Sequence, residues 1–170
     1  MLNVAQRRAD SQGLKNVTLI EKAWDDNWDD VPECDIVVAS RSTLVADMES
    51  ALKKLRSKAK MRVYTTHTVS PHFMDAKILD ALGRKDAGLP NYSYPLNILH
   101  QMGIHPRLEY IHSRNCQAKT KNYEEFEKSV NWSLGTLSEE EQQRLQRYYQ
   151  EKKERGEPVI SPIRSWAFIS

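Results

Sequence analysis

The chain has 170 residues, of which 39% are hydrophobic and 28% are charged, a composition typical of one globular domain with a core rather than of a disordered polypeptide. Twenty-five basic residues against 23 acidic ones leave a net charge of +2, so the charge gives no strong sign of a nucleic-acid-binding surface. The six glycines form no GxG pattern, which excludes a glycine-rich nucleotide loop from the sequence as written.

Signals for a membrane or for export are lacking in this sequence. No uninterrupted apolar run exceeds four residues, far fewer than a membrane-spanning helix needs, and the N-terminal residues contain no apolar core of signal-peptide length. Cys34 and Cys116 belong to no CxxC pair, so we expect two separate buried thiols rather than a disulfide. These features predict a cytoplasmic protein that makes no contact with membranes.

The first forty residues predict one helix and two strands. An apolar stripe over residues 1–12 is typical of a helix, and Gly13 is placed to end it. Residues 16–23 (NVTLIEKA) predict a short strand. Residues 34–40 (CDIVVAS) form a continuous β-branched run, which is typical of a parallel strand covered on both faces by helices.

The next segment alternates helix, strand and helix. Asp47 is a candidate N-cap for a helix over residues 48–58. Residues 61–68 (MRVYTTHT) predict a third strand. Ser70 and Pro71 have the form of an N-cap followed by proline at the first helical position, and they predict a helix that ends at Gly83.

The second half of the chain continues the alternation. Residues 95–102 predict a helix and residues 107–113 a fourth strand. Two capping-box patterns, at residues 122–125 and 138–141, predict the starts of two more helices. Residues 165–170 predict a last, apolar strand. Strands that alternate with helices indicate an α/β layered sheet.

Four parts of the chain share an order and spacing with a known family: residues 1–5 with 13–17, residues 19–25, residues 35–41, and residues 92–104 with 166–169. They resemble the second part of a class I S-adenosylmethionine-dependent methyltransferase, and in particular an uncharacterised bacterial subgroup. The resemblance implies a Rossmann-like, three-layer sheet of seven strands in the order 3-2-1-4-5-7-6 with an antiparallel last strand. Residues 165–170 would be that strand, inserted between the strands at residues 61–68 and 107–113.

The resemblance also implies elements that the sequence lacks. In the family, the first strand, its glycine-rich turn, the first crossover helix and the second strand would all come before Met1, and they hold much of the cofactor. Residues 1–170 are therefore interpreted as a single partial domain, from the second helix through the seventh strand. Three arrangements remain open: the strand at residues 16–23 pairs with the strand at residues 34–40, two chains form a homodimer across the exposed sheet edges, or the polypeptide is a truncated form of a longer product.

The resemblance assigns cofactor contacts to two segments at strand ends. Ala23, Trp24 and Asp25 would line the adenine, and the Trp24 ring would either stack on it or belong to the core. Ser40 and Arg41 follow the strand at residues 34–40 and would lie beside the methyl donor; the alternative is a solvent-facing turn. Ligand sites of open α/β sheets lie beyond the carboxyl ends of the strands, and Arg41 could hold a carboxylate or phosphate of a substrate.

Candidate substrate-side residues follow later strands. His67 is the candidate general base, because imidazole accepts a proton near neutral pH, and the alternative is a hydrogen-bonded structural histidine. Tyr92, Tyr94 and Asn97 fall in a segment that covers the substrate in the family, or else they belong to an ordinary packed helix. No His/Cys cluster has metal-ligand spacing, so we expect no metal.

The leading hypothesis is methyl transfer from S-adenosylmethionine to an unidentified, small-molecule acceptor in the complete protein. Autonomous activity of this chain is doubtful without the glycine-rich cofactor turn. The alternative is a non-catalytic, degenerate methyltransferase fold that serves as an interaction or structural protein. A nucleotide-linked oxidoreductase is disfavoured by the antiparallel last strand.

Overall fold

The computed structural model describes residues 2–85, 88–115 and 120–170, and in these residues the chain forms six helices and four strands. No helix of this part is long and apolar enough to cross a membrane. In chain order the elements are α1 (Leu2–Ser11), β1 (Cys34–Ser40), α2 (Met48–Ser57), β2 (Ala59–Thr68), α3 (Ala76–Leu82), α4 (Ser93–Gln101), β3 (Leu108–Arg114), α5 (Tyr123–Leu134), α6 (Glu139–Glu154) and β4 (Ile163–Ile169).

The four strands form one mixed sheet in the order β1-β2-β4-β3. Strand β4 is antiparallel to both of its neighbours: Trp166 lies opposite Thr68 of β2 and Ile111 of β3. The methyltransferase resemblance implies an antiparallel last strand inserted between these two strands, and that position is confirmed. The fold is therefore α/β, with helices connecting the strands.

Successive side chains of a strand point to opposite faces of the sheet, so the side chains of β2 and β4 form one group on each face. The His67 face consists of Thr65, His67, Ala167 and Ile169, which are all buried. The Trp166 face consists of Thr66, Thr68, Trp166 and Phe168. Residues that the sequence places side by side in the tetrapeptide 65–68 thus project to opposite sides of the sheet.

The chain divides into two compact units, Met1–Val37 with Leu44–Val63, and Val38–Thr43 with Tyr64–Ser170. In the first unit, the apolar side of α2 is buried, as its helical spacing predicts. The Lys54 ammonium on the same helix donates hydrogen bonds to the carbonyls of Trp24 (2.5 Å) and Asp26 (2.8 Å). Residues 14–33 contain neither a helix nor a strand. The two hydrogen bonds from Lys54 therefore help to fix the position of that segment.

The second unit has its hydrophobic core among α3, α5, α6 and the segment before β4. Four side chains of this core, one or two from each of these helices, are completely enclosed. They stabilise the fold mainly by burying apolar surface. They are Ile78, Phe126, Val130 and Leu145.

Two expectations about the first forty residues are wrong. Residues 16–23 do not form a strand, and Val17 and Ile20 are 42% and 40% exposed; no strand of the described residues runs beside them to accept their backbone hydrogen bonds. Strand β1 has the predicted bounds but is not covered on both faces. It is an edge strand, and Ile36 and Val38 are 52% and 66% exposed.

The helix predicted from Ser70 and Pro71 begins later, at Ala76. Asp75 is its N-cap and accepts a hydrogen bond from the Lys77 amide at 3.0 Å. The Pro71 carbonyl instead accepts a hydrogen bond from the Leu89 amide at 2.7 Å, so the proline belongs to a loop contact. The Cys34 thiol, expected to be buried, is exposed, and Cys116 lies outside the described residues.

Both predicted capping boxes mark helix starts, and the second contains a half-buried ion pair between Glu141 and Arg84. Glu141 accepts the amide of Ser138 at 2.9 Å and two hydrogen bonds from the Arg84 guanidinium, at 2.6 and 3.2 Å. The same guanidinium donates to the Leu134 carbonyl at 3.0 Å. These donors, Arg84 first, lower the pKa of Glu141 from 4.5 to about 2, and they connect α6 to the end of α5.

Glu141→Gln tests this connection. Glutamine keeps the capping geometry but loses the charge pair with Arg84, so we expect the free energy of unfolding at pH 7 to fall by about 1 kcal/mol, a value limited by solvent screening. Because the folded pKa of Glu141 lies below its unfolded value, the parent chain loses this stabilisation as pH falls from 4.5 toward 2. The variant should lack that part of the pH dependence in urea titrations.

Glu139→Gln is the matched control, since Glu139 is an exposed acid in the same first turn of α6. Its effect should stay within about 0.5 kcal/mol. Equal effects of the two substitutions would contradict the role assigned to the pair of Glu141 and Arg84.

Candidate functional site

A cavity of about 300 Å³ opens where β2 ends and β4 begins, within the second unit. This position lies at the carboxyl end of β2, the place where open α/β sheets bind their ligands, and the volume is at the lower end of the range for ligand pockets. The lining combines hydroxyl, amide, guanidinium and carboxylate groups with apolar side chains. The lining residues are Thr68, Val69, Ser70, His72, Phe73, Met74, Asp75, Ala76, Asn115, Ser161, Ile163, Arg164, Ser165 and Trp166.

Trp166 is the central side chain of this site. It is 6% exposed, and its ring is contacted by two guanidinium groups: the Cζ atom of Arg41 lies 4.3 Å from the ring centroid and that of Arg164 lies 5.9 Å away. Both distances are within cation–π range. Its indole Nε1–H has no acceptor among residues 2–85, 88–115 and 120–170. The site therefore brings two positive charges and one unsatisfied buried donor together.

The turn after β1 places Arg41 beside the Trp166 ring. Arg41 has φ 56°, a left-handed conformation that strains a residue with a Cβ by about 1–3 kcal/mol. Thr66 of β2 stabilises the turn, because its Oγ1 accepts a hydrogen bond from the Arg41 amide at 3.1 Å and lies 3.0 Å from the Ser40 Oγ. Ser40 and Arg41, predicted as site residues from their position at a strand end, thus lie beside the Trp166 face.

Asp75 is the carboxylate of the cavity, and backbone amides compensate its charge. Its Oδ1 accepts from the Lys77 amide at 3.0 Å and its Oδ2 from the Ser161 amide at 2.9 Å. The buried Asn115 side chain donates to the Ser161 carbonyl at 3.1 Å. These contacts hold the start of α3 against the segment that leads into β4, and so define one wall.

His67 lies on the opposite face of the sheet from Trp166. Its Nδ1 is 3.1 Å from the Thr43 hydroxyl and its Nε2 is 2.9 Å from the Thr65 hydroxyl. Burial lowers the pKa of this imidazole from 6.5 to about 4, so the ring is neutral at pH 7. This geometry supports the structural alternative over a general base, because both ring nitrogens are engaged by enclosed hydroxyls.

The tyrosine segment is also separate from the cavity. Tyr92 is the N-cap residue before α4 and accepts a hydrogen bond at 2.9 Å from the hydroxyl of Tyr110 on β3. This bond is the first cause of the raised pKa of Tyr110. Tyr94 is 48% exposed and Asn97 is exposed. None of these three predicted substrate residues lines the cavity, and their binding role remains a prediction.

Ala23, Trp24 and Asp25 belong to the first unit and are organised locally. The Trp24 ring stacks on Trp28 with centroids 5.3 Å apart, and the Trp28 indole donates to the Ala23 carbonyl at 2.9 Å. The Ala23 amide donates to Asp26 Oδ2 at 2.7 Å, and Asp25 is exposed. In this structure the Trp24 ring therefore has an aromatic partner from its own turn.

Three residues that line the cavity were not predicted from the sequence as site residues: Arg164, Trp166 and Asn115. The available signal was an arginine two residues before a tryptophan at the start of an apolar strand, which places both side chains on one face. No group of three or more His, Cys, Asp or Glu side chains suited to a metal ion occurs in the described part of the chain.

Comparisons with known proteins give a relative without an assigned function. No model of a protein family matches the chain. The chain is 44% identical over 157 residues to an "Uncharacterized protein" of Haemophilus influenzae, strain Rd. The match covers 92% of this chain but 59% of that protein, so the chain spans less than two thirds of the relative's length.

The enclosure of His67 has a measurable consequence. Its imidazole should titrate with a pKa of about 4 in an NMR pH series, with His67→Gln used to assign the resonance. Because the folded pKa is below the unfolded value of 6.5, the contribution to stability is complete above pH 6.5 and is lost as pH falls toward 4. A titration midpoint near 6.5 would show that the ring is accessible and would restore the general-base interpretation.

Proposed function

We propose that the complete protein transfers a methyl group from S-adenosylmethionine to a small-molecule acceptor, and that this chain supplies the second half of its sheet. The observation that carries the proposal is the strand order β1-β2-β4-β3 with β4 antiparallel to both neighbours. The methyltransferase resemblance implies that order for the last four strands. An antiparallel last strand inserted between two earlier ones is a specific topological feature.

The residues present do not by themselves fit the whole cofactor. The chain contains no GxG turn, and on the adenine side the Ala23 amide and the Trp24 ring are engaged by Asp26 and Trp28. The matched relative is longer than the matched region by about two fifths of its own length. Cofactor binding in this proposal therefore belongs to the complete protein, in which S-adenosylmethionine would supply the methyl group.

The part that this chain would perform is to hold the acceptor. In methyl transfer the protein chiefly aligns the attacking atom with the methyl carbon, and alignment can supply a large share of the rate. The cavity around Trp166 and Arg164 is at the carboxyl end of β2, next to the Arg41 turn at the end of β1. His67 has no part in this arrangement, because it is enclosed on the other face.

A second candidate is a non-catalytic interaction protein. Strand β1 leaves one edge of the sheet unpaired within the described residues, and Ile36 and Val38 are exposed on it. Exposed apolar edge strands pair readily with another chain, so this observation favours a homodimer through the sheet edge.

Calorimetric titration with S-adenosylhomocysteine separates the two candidates. The full-length Haemophilus influenzae relative should bind it with a micromolar dissociation constant, while the 170-residue chain, which lacks a glycine-rich turn, should bind at least about tenfold more weakly. NADH is the control ligand and should bind to neither. Lack of binding by the folded full-length relative at millimolar ligand would overturn the methyl-transfer proposal, and a dimer in sedimentation would then favour the interaction protein.

A further inference from the structure

Two histidines lie side by side in the turn between α4 and β3. The ring centroids of His100 and His105 are 5.4 Å apart, and the two ring planes are inclined by 64°. Both side chains are exposed, and neither lines the cavity at the end of β2. Apart from this ring contact, neither imidazole has a hydrogen-bond partner among residues 2–85, 88–115 and 120–170. Their ring nitrogens are therefore open to a ligand from solution.

The backbone holds the two histidines at this spacing. The Gly103 amide donates to the His100 carbonyl at 2.9 Å, and Gly103 has φ 72°, the left-handed conformation in which a glycine ends a helix. Beyond His105, the backbone groups of Arg107 and Ser170 exchange two hydrogen bonds, at 2.8 and 3.0 Å. The turn is therefore fixed at both ends, and the separation of the two side chains follows from the fold.

Two imidazoles at this separation can bind one metal ion. Zinc lies about 2.0–2.1 Å from a histidine nitrogen and so about 3.2 Å from the ring centre, which places the centres of two rings on a tetrahedral ion about 5.2 Å apart. The separation of His100 and His105, 5.4 Å, is close to that value. Rotation of either ring about its Cβ–Cγ bond, to direct a nitrogen at a shared ion, breaks no hydrogen bond within the described part of the chain.

The electrostatic surroundings are compatible with a cation. His100 lies in the last turn of α4, where the terminal carbonyls of a helix carry partial negative charge that favours positive ions. The charged residues that follow the turn are Arg107 and Glu109, and they form an ion pair with Nη1 and Oε1 3.9 Å apart. The glutamate therefore offsets the positive charge of this arginine.

The ligand type limits the choice of metal. Imidazole nitrogen suits Zn²⁺, Ni²⁺ and Cu²⁺, whereas Mg²⁺ and Ca²⁺ require oxygen ligands. Two protein ligands leave the other positions of the ion to water, unlike the four-ligand arrangement of a structural zinc site. The pair was not predicted from the sequence, because metal-binding histidines of one helix face are three or four residues apart, and these two meet through the turn at Gly103.

We propose that His100 and His105 form an exchangeable site for a divalent transition-metal ion that prefers imidazole, with Zn²⁺ as its representative. One nitrogen of each ring holds the ion, and water completes the coordination. The site does not depend on methyl transfer, because neither histidine lines the cavity at the end of β2. Binding of S-adenosylhomocysteine and binding of the metal can therefore fail separately.

The test is a calorimetric titration of the 170-residue chain, free of any affinity tag, with zinc chloride in a buffer that does not bind metals. We expect saturable binding with a dissociation constant of about 100 µM or tighter, because two ligands supply roughly half the binding free energy of a four-ligand structural zinc site. Cu²⁺ should bind more tightly than Zn²⁺, in the order general for nitrogen ligands, and Mg²⁺ should not bind.

Removal of either imidazole tests whether the two bind one ion. His100→Asn and His105→Asn should each weaken Zn²⁺ binding by about tenfold or more, at least as much as the loss of a supporting group around a metal ligand. The double variant should bind little more weakly than either single one, because each single substitution already leaves only one of the two ligands. Both side chains are exposed, so we expect all three variants to fold.

Two further variants are matched controls. His112→Gln removes another exposed histidine, whose Nδ1 lies 2.9 Å from the Ser165 hydroxyl oxygen. Cys34→Ser removes an exposed thiol, which is also a zinc-binding group. Both variants should bind Zn²⁺ with the affinity of the parent chain.

Several outcomes would overturn the proposal. Zn²⁺ binding by the parent chain that is absent or weaker than expected would mean an adventitious ion only, and Mg²⁺ binding as tight as that of Zn²⁺ would exclude an imidazole site. Parent affinity in His100→Asn or in His105→Asn would show that the two rings do not share an ion. Loss of binding in His112→Gln or Cys34→Ser would place the metal elsewhere in the chain.

Discussion

The structure depends on one strand that pairs on both sides. β4 runs antiparallel between β2 and β3, so its backbone N–H and C=O groups have partners in both directions. Without it, β2 and β3 would each have a row of unpaired backbone groups along one edge. Ala167 of this strand is completely enclosed, and it lies opposite His67 on one side and Tyr110 on the other. The same strand carries Arg164 and Trp166, so the pairing that completes the sheet also builds the cavity.

Because side chains alternate along that strand, the residues on the two faces of the sheet have different surroundings and different roles. On one face, Thr65 and His67 are buried with Ala167, and the neutral imidazole is held by two threonine hydroxyls. On the other face, Thr66 orients the turn that brings Arg41 to Trp166. Adjacent residues of β2 thus have different roles, a structural one for His67 and an orienting one for Thr66. The function that we propose uses the Trp166 face alone.

Local sequence signals predicted the elements well, because their causes are local. The bounds of β1, the N-cap Asp47 and the capping box of Ser138 and Glu141 follow from β-branched runs and side-chain-to-amide hydrogen bonds within one turn. The strand predicted at residues 16–23 was wrong because a strand needs a neighbour, which propensity does not supply. Likewise, the β-branched run predicted the strand but not the covering of its faces: Ile36 and Val38 are exposed on the edge strand β1. The cavity could not be predicted, since residues almost a hundred positions apart, such as Val69 and Trp166, line it.

The central claim is that β4 is the interior strand on which the sheet and the cavity depend, and amide hydrogen exchange tests it most directly. If the claim is correct, the amides of Trp166, Ala167 and Phe168 should exchange among the slowest in the chain, at rates that approach the limit set by global unfolding. The amides of residues 14–33, which belong to no helix or strand, should exchange far faster. Exchange of the β4 amides as fast as that of residues 14–33 would contradict the claim, because it would mean that the last strand is not paired on both sides.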